Sequence, residues 1–331
     1  MPQHDREPRL LSVVAPMFDE EDTVDVFYER VRTALDPLPF ELILVDDASR
    51  DRTPERLDRL ADSDPRVRVL HLSRNFGHQA AITAGLEHAR GDVVAMIDGD
   101  LQDPPELIAT MLDHWRTGSD VVYGVRESRA GETRFKLTTA RWFYRLFGRV
   151  TGLELKENSG DFRLLDRKAL DAVLSMRERN RFLRGMTVWI GFTQTAVPYR
   201  RDARQAGETK YTLRRMLRFS LDAISSFSSL PLQAATLLGF FFSLAAFLGL
   251  PLVIAARVAG IYVPGVSTIL FVILLLGGIQ LITVGIIGEY VGRIYDEVKG
   301  RPLYVVREGR NIGADEAPDR APSEPEQVPT T

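Results

Sequence analysis

Short apolar runs punctuate the first half of the chain, and each is followed by a polar stretch with helical spacing. The runs at 11–15, 41–45, 67–70, 93–97 and 121–123 read as strands, being short, β-branched and bounded by polar turns. Between them, 23–35, 53–61, 78–88 and 105–115 carry apolar residues at helical intervals, with Pro54 and Pro105 where a first helical turn tolerates proline. Strand–helix alternation at this spacing predicts an α/β domain with a mostly parallel central sheet and helices on both faces. Ligands of such sheets bind at the carboxyl ends of strands. Asp46 and Asp47, then Asp98 and Asp100, all follow a predicted strand.

The pattern changes in the second half. From about 134 to 201 aromatics and arginines interleave without a clear period, and 211–229 reads as a basic amphipathic helix containing Arg214, Arg215 and Arg218. Segments 230–256 and 267–288 carry no charged side chain, and each is long enough for a hydrocarbon core of ~30 Å. A buried helix pair in a soluble protein is the bland alternative. The short link at 257–266 favours a transmembrane hairpin. Arg214, Arg215 and Arg218 precede the hairpin, Arg293, Lys299 and Arg301 follow it, and the link carries only Arg257. The positive-inside rule then sets both termini in the cytoplasm. The expected organisation is a catalytic domain over 1–210, an interfacial helix over 211–229 and spans at 230–256 and 267–288 around an extracytoplasmic link. A juxtamembrane segment at 289–311 follows, then a disordered tail at 312–331 rich in Pro, Glu, Asp and Ala.

Composition narrows the chemistry. The chain has 331 residues, 45% hydrophobic, and a formal net charge of -3, which argues against a general nucleic-acid binder. It contains no cysteine, so disulfides, zinc–thiolate sites and cysteine nucleophiles are excluded. The polar start, MPQHDREPR, lacks the apolar region of a secretory signal.

The most informative local pattern is Asp98-Gly99-Asp100-Leu101-Gln102 after an apolar strand. Two carboxylates at i, i+2 converge once the strand gives way to a turn, which Gly99 is expected to permit. Hard oxygen ligands suit Mg²⁺ or Mn²⁺, ions that bind through one or two carboxylates plus substrate phosphates. Gln102 would add a carbonyl oxygen. A solvated acidic turn is the alternative, and position after a buried strand weighs against it. The run ending Asp46-Asp47-Ala48-Ser49 offers carboxylates to a base N–H or to ribose hydroxyls, although Asp and Ser are also ordinary turn residues.

Together the motifs resemble the family-2 glycosyltransferases with the GT-A fold, and within them the polyprenyl-phosphate glycosyltransferases. Bacterial bactoprenol glucosyltransferases are nearest, and dolichol-phosphate mannose synthases more distant. The resemblance is carried by VVAPMFDEE (13–21), LVDDASRD (44–51), LSRNFGHQAAITAGL (72–86), IDGDLQDPPE (97–106), SGDFRLLDR (159–167), ERNRFLRG (178–185), AGETKY (206–211) and GEYVGRIYDEVKGRPLY (288–304). Phe18-Asp19 stands where tyrosine–asparagine is commoner, and Ala48 where glycine is usual.

The resemblance implies Pro16, Phe18, Glu20 and Asp47 around a nucleoside, with Asp98 near the ribose, the metal or both. Asp100 and Gln102 would complete a Mg²⁺ or Mn²⁺ site. Asp161 matches the carboxylate proposed in relatives as catalytic base, and Arg163, Arg184, Arg204 and Lys210 would contact donor or lipid phosphate. The implied partners are a nucleotide-sugar donor, best taken as UDP-glucose, a polyprenyl phosphate acceptor and the bilayer, with no nucleic acid. GDP-mannose and UDP-amino sugars remain alternative donors, and a non-catalytic nucleotide-binding membrane partner is the alternative class. A processive polysaccharide synthase is disfavoured, because 181–189 does not match the Q-x-x-R-W motif of such enzymes. Gly277-Gly278 and the Gly285, Gly288 pair suit close helix packing, within the hairpin or between subunits of a homo-oligomer. A phosphomonoester acceptor is already largely dianionic near pH 7, its second pKa being about 6. Asp161 is therefore expected to position the acceptor or an arginine rather than to remove a proton.

Overall fold

The computed structural model describes residues 6–127, 159–200, 230–259 and 265–313. Of these, 6–127, 159–200 and 302–313 form one compact unit, and 230–259 with 265–301 form another. In the first unit the order is β1 (Leu11–Met17), α1 (Val24–Leu35), β2 (Phe40–Asp46), α2 (Thr53–Ser63), β3 (Val67–Leu72), α3 (His78–Glu87), β4 (Val93–Met96), α4 (Leu107–Arg116) and β5 (Val121–Arg126). There follow β6 (Ser159–Asp166), α5 (Arg167–Ser175), α6 (Leu183–Trp189), β7 (Gln194–Tyr199) and, near the end of the chain, β8 (Val306–Arg310).

The strands form one sheet in the order β7-β5-β6-β4-β1-β2-β3-β8. Its centre, β4-β1-β2-β3, is parallel, as the alternation predicts. Strands β2 and β3 are buried at every position, the mark of strands covered on both faces. Leu11, Val13, Ala15 and Met17 of β1 join a core with α1, α2 and α4. Helix α1 supplies Val24, Phe27, Val31 and Leu35, one stripe at helical spacing. Val14 points to the other face, against α3. A Cβ on Gly85 would meet Val14 Cγ1 at 2.3 Å, so this glycine sets how closely α3 lies on the sheet.

Three features differ from the sequence expectation. Helix α4 begins at Leu107 with Glu106 as its cap, so Pro105 lies ahead of the helix, in the turn whose carbonyl receives Ile108 N–H. The stretch 159–200 is regular, holding β6 and β7, and β6 runs antiparallel to both β4 and β5. The segment expected as a juxtamembrane extension instead contributes β8, antiparallel to β3 at the sheet edge. Asn311 Nδ2 donates to Ala61 O and Val67 O at 2.8 Å each, Ser73 N–H to Val305 O at 2.8 Å, and the Tyr304 hydroxyl to Glu87. These bonds tie residues 304–311 to the sheet and to helices α2 and α3.

The second unit contains α7 (Leu230–Val258) and α8 (Val266–Val298), which pack together. Among the described residues one stretch, Leu275–Val298, is long and apolar enough to cross a membrane, and Ala235–Gly249 is a shorter apolar stretch. The expected interfacial helix with Arg214, Arg215 and Arg218 and the residues Arg204 and Lys210 lie outside the described residues, as does all but the start of the expected tail.

β8 also closes a chain of charges. His71 Nδ1 lies 3.0 Å from Asp46 Oδ2 and Nε2 3.1 Å from Asp58 Oδ1, while Arg310 Nε donates to Asp58 at 3.2 Å. Burial opposes the imidazolium, but the two carboxylates outweigh it and raise His71 above its ordinary 6.5. Its stabilising contribution is thus complete below pH 6.5 and lost as pH rises through the folded pKa. The thermal midpoint should therefore fall as pH is raised above about 6.5. His71→Gln should lessen that slope, leaving the part that His78 contributes, and destabilise by about 1–3 kcal/mol at pH 6; unfolding curves of both proteins between pH 6 and 9 check this.

Candidate active site

Parallel strands β1, β2 and β4 deliver their carboxyl ends to one edge, so the loops at 18–23, 47–52 and 97–106 gather there. The first two loops are laced together. Asp19 Oδ1 accepts Arg50 N–H at 2.7 Å, Ser49 Oγ accepts Asp19 N–H at 3.0 Å, and Thr53 Oγ1 accepts Glu20 N–H at 2.8 Å. Asp19 and Ala48 have φ of 54° and 58°. This left-handed backbone explains why asparagine and glycine suit these positions. Phe18 is left 42% exposed at the edge. Pro16 is half-buried in β1, and Glu20 Oε2 accepts the Thr23 hydroxyl at 3.0 Å. Asp47 is buried, and its two oxygens accept Phe76 N–H at 2.7 Å and Gly77 N–H at 2.9 Å, shaping the turn into α3. Burial nevertheless raises its pKa.

The antiparallel direction of β6 brings the second half of the site to the same edge. Met96 pairs with Arg163, so Asp98, two residues beyond β4's last residue, meets Asp161, two residues before Arg163. Between them stands His78, the first residue of α3: its Nε2 is 3.4 Å from Asp98 Oδ1 and 3.6 Å from Asp161 Oδ2. Arg184 Nη2 donates to Asp161 Oδ1 at 3.2 Å, and Gln79 Nε2 to Asp161 Oδ2 at 3.5 Å. Gln79 Oε1 in turn accepts Leu183 N–H at 3.1 Å, which fixes α6 against α3.

The electrostatics follow from this crowding. Asp98 is pushed up to about 6, first by burial and then by the charges of Asp161, Asp103 and Asp100, with His78 opposing. Its Oδ1 is buried without a hydrogen bond. Burial disfavours the His78 imidazolium, but Asp161, Asp98 and Asp100 more than offset this and raise it to about 9. His78 is therefore a cation at neutral pH although 44% of its side chain faces solvent. Burial likewise opposes ionisation of Asp161. The charge of Arg184, the hydrogen bond from His78 and the charge of Arg163 prevail and hold it well below the ordinary carboxylate range.

Two expected contacts are corrected. Arg163, expected at a phosphate, is 1% exposed, donates to the Thr187 hydroxyl and stacks 5.4 Å from the Tyr123 ring. Burial, and the neighbouring Arg184, lower it to about 10. With no surface to offer a ligand, it acts on Asp161 through its charge. Gln102, expected to give a carbonyl oxygen, turns its amide nitrogen to Asp100 Oδ2 at 2.6 Å, and its backbone N–H reaches Asp100 Oδ1 at 3.1 Å. Gly99 permits the turn through its missing side chain. Its φ is not positive; the left-handed residue of the turn is Leu101, at 59°. A Cβ on Gly99 would meet Met17 Sδ at 2.4 Å and Pro16 O at 3.1 Å, so it allows the acidic turn to lie against β1.

Several residues of the site carried no assignment from the sequence. His78 and Gln79 sit inside LSRNFGHQAAITAGL, and only the antiparallel return of β6 makes them neighbours of Asp161. Asp103 is fully buried; it accepts the Tyr199 hydroxyl at 2.5 Å and lies 3.6 Å from Arg126 Nη2. It ties the acidic loop to β5 and β7.

Among the described residues, no group of three or more His, Asp or Glu side chains is arranged to hold a metal ion by itself. The donor set fits a cation of another kind. A buried carboxylate oxygen without a hydrogen bond, repelled by three neighbouring acids, suits a hard divalent ion that takes one or two protein carboxylates and completes its shell with substrate phosphate and water.

Comparison with known proteins identifies the family. Residues 12–174 match the model of glycosyl transferase family 2. An uncharacterized glycosyltransferase of Bacillus subtilis (strain 168) is 46% identical over 91% of this chain and 94% of its own. The SfII prophage-derived bactoprenol glucosyl transferase of Shigella flexneri is 41% identical over 90% and 97%. Among solved structures, glucosyl-3-phosphoglycerate synthase from Mycobacterium tuberculosis, in complex with Mn²⁺, UDP-glucose and phosphoglyceric acid, is 22% identical over 65% of this chain and 77% of its own, with a TM-score of 0.46. The chain belongs to the family-2 glycosyltransferases of GT-A fold, and within them it is bactoprenol glucosyltransferase-like.

The two arginines near Asp161 should separate by variant. Arg184→Gln should lower kcat by more than about tenfold, the loss of one charge-assisted contact, even at temperatures where the variant is fully folded, and should also lower Tm because Asp161 loses a compensating charge. Arg163→Lys should chiefly destabilise, by about 1–3 kcal/mol, because it disturbs a buried guanidinium and its Thr187 partner. Parallel turnover and unfolding measurements distinguish the two.

Proposed function

We propose that this transferase moves a hexose, with glucose from UDP-glucose as the first choice of donor, onto polyprenyl (undecaprenyl) phosphate at the cytoplasmic face of a membrane. The observation that carries the reading is the convergence of Asp98 and Asp161 about His78 at the carboxyl edge of the sheet. The named activity of the bactoprenol glucosyl transferase relative supports the acceptor.

In the proposed reaction an acceptor phosphate oxygen bonds to the anomeric carbon while the bond from that carbon to the donor β-phosphate oxygen breaks. The electron pair leaves with the nucleoside diphosphate, and the anomeric configuration inverts. Asp98 and Asp100 would hold Mg²⁺ or Mn²⁺, whose charge would stabilise the departing diphosphate. The loops bearing Pro16, Phe18, Glu20 and Asp47 would take the nucleoside. Asp161 is a weak base where it stands, held ionised by Arg184, His78 and Arg163. It keeps Arg184 and Gln79 in place, where they would meet an acceptor phosphate that needs little proton removal.

The second unit supports the membrane setting. Phe240, Phe241, Phe247 and Leu248 of α7, and Leu281, Ile282 and Val284 of α8, are all exposed, an apolar surface that water does not favour. We read both helices as spans, with the basic residues of their outer ends in the cytoplasm. A polyprenyl phosphate keeps its head group at that surface, where a tethered catalytic unit meets it at high effective concentration.

With membranes and radiolabelled UDP-glucose, label should enter the organic phase, stop when divalent ions are chelated, and resume when Mg²⁺ or Mn²⁺ is restored. Asp100→Ala should reduce turnover by about 10²-fold or more. Full activity of either the chelated enzyme or the variant refutes the metal reading, and a donor panel identifies the sugar. Asp161→Asn should lose the same factor at every pH from 6 to 9; a defect that vanishes at high pH would instead make Asp161 a base.

A further inference from the structure

A cavity of about 410 Å³ opens beside the site already described, within the range of small-ligand pockets of ~300–1,000 Å³. Its walls come from three separated segments: Arg74 and the first turn of α3, then Arg179 to Arg181 ahead of α6, and Leu303 in the segment that leads to β8. His78 and Gln79 line it too, and these same side chains contact Asp161. The cavity is thus continuous with the reacting edge through α3.

Its chemistry is that of an anion seat with one apolar side. Among the described residues that line it there is no Asp or Glu, whereas three are arginines. Arg181 uses Nε and Nη2 on Glu178 O and Met176 O at 3.3 and 3.0 Å, and its Nη1 is buried with no hydrogen-bond partner. Burial lowers the pKa of Arg181 in spite of Glu87 and Glu178, as expected of a guanidinium short of negative charge. Arg74 is held over the Phe76 ring at 4.1 Å, at the mouth. Leu303 follows the end of α8 by five positions in sequence and is kept at the cavity by the neighbouring Tyr304–Glu87 bond.

We propose that this cavity seats the phosphate of the lipid acceptor, with Arg74, Arg179 and Arg181 on its oxygens and Leu303 against the first carbons of the prenyl chain. The assignment rests on the acceptor reading above and gives it residues. Asp98 and Asp100, which would hold the ion, lie on the other side of this turn of α3, so the basic side is left for the second anion. The short apolar wall distinguishes a phosphate monoester bearing an alkyl chain from free phosphate.

The test is steady-state kinetics of the full-length protein in detergent, with a short-chain polyprenyl phosphate as acceptor and inorganic phosphate as competing probe. Arg74→Ala, an exposed position whose loss leaves the core intact, should raise the acceptor KM about tenfold or more. It should weaken inhibition by inorganic phosphate in parallel, while UDP affinity stays within about twofold. Leu303→Asn should raise the acceptor KM and leave phosphate inhibition unchanged. Arg181→Lys provides a second cationic variant, with Tm as the check on folding. An unchanged acceptor KM in Arg74→Ala, or a loss of UDP affinity in its place, overturns the proposal; the latter assigns the cavity to the donor. If Leu303→Asn and inorganic phosphate inhibition change together, the seat is for free phosphate alone. Failure of the wild type to label any prenyl phosphate defeats the acceptor reading itself, whatever the variants do.

Discussion

The crowding of carboxylates at the junction of β4 and β6 is the constraint around which the catalytic unit is arranged. Burial first, and then the charges of Asp161, Asp103 and Asp100, push Asp98 to about 6. Two like charges 4 Å apart repel by about 4 kcal/mol at an effective dielectric of 20, so a cluster of this kind persists only with cations inside it. His78, Arg184 and the buried Arg163 offset the charge around Asp161. Asp98 is less well compensated: its Oδ1 faces His78 at 3.4 Å but has no hydrogen bond among the described residues.

Fold topology makes the arrangement possible. A purely parallel sheet would place every helix between consecutive strand ends, and no strand would enter the carboxyl edge from outside. Because β6 runs against β4, a strand begins where its neighbour ends, and Asp161 faces Asp98 directly. The opposite edge of the sheet uses the same device for a different purpose. β8 runs against β3, and its Arg310 completes the line Asp46–His71–Asp58 behind the loop at 47–52. Residues that follow α8 in sequence thus help to hold β2, α2 and α3, elements that carry loops of the site.

How much of this could be read from residues alone depends on how local the cause is. The parallel strands were legible because burial on both faces leaves apolar runs, and the acids at their ends stood out as charges immediately after them. β8 was not legible. Its sequence, VREGR, is almost wholly exposed, and it is a strand only because β3 offers an edge and Tyr304 and Asn311 anchor it. Arg163 misled for a related reason: arginine is seldom fully buried, and nothing nearby in sequence announces Thr187 or Tyr123 as its partners. His78 begins an ordinary helix, and its importance arises wholly from two carboxylates distant along the chain. Gly99 was marked as the residue that permits the acidic turn, and the structure supplies the reason, space against Met17.

The first turn of α3 links the two halves of the reaction. A donor diphosphate and an acceptor phosphate must approach to bonding distance while both are anions, and their repulsion grows as the distance falls. A site that pooled all its positive charge in one place would favour two copies of one anion over one of each. Here the helix divides the charge. An acidic side can take a diphosphate only together with its metal, and a basic side, on the assignment proposed above, accepts a monophosphate directly. His78 and Gln79 line the cavity and also contact Asp161. On the same assignment the imidazolium would lie between the two anions and screen them from one another, and selectivity for one donor and one acceptor would follow from opposite signs of charge on two faces of a single helical turn.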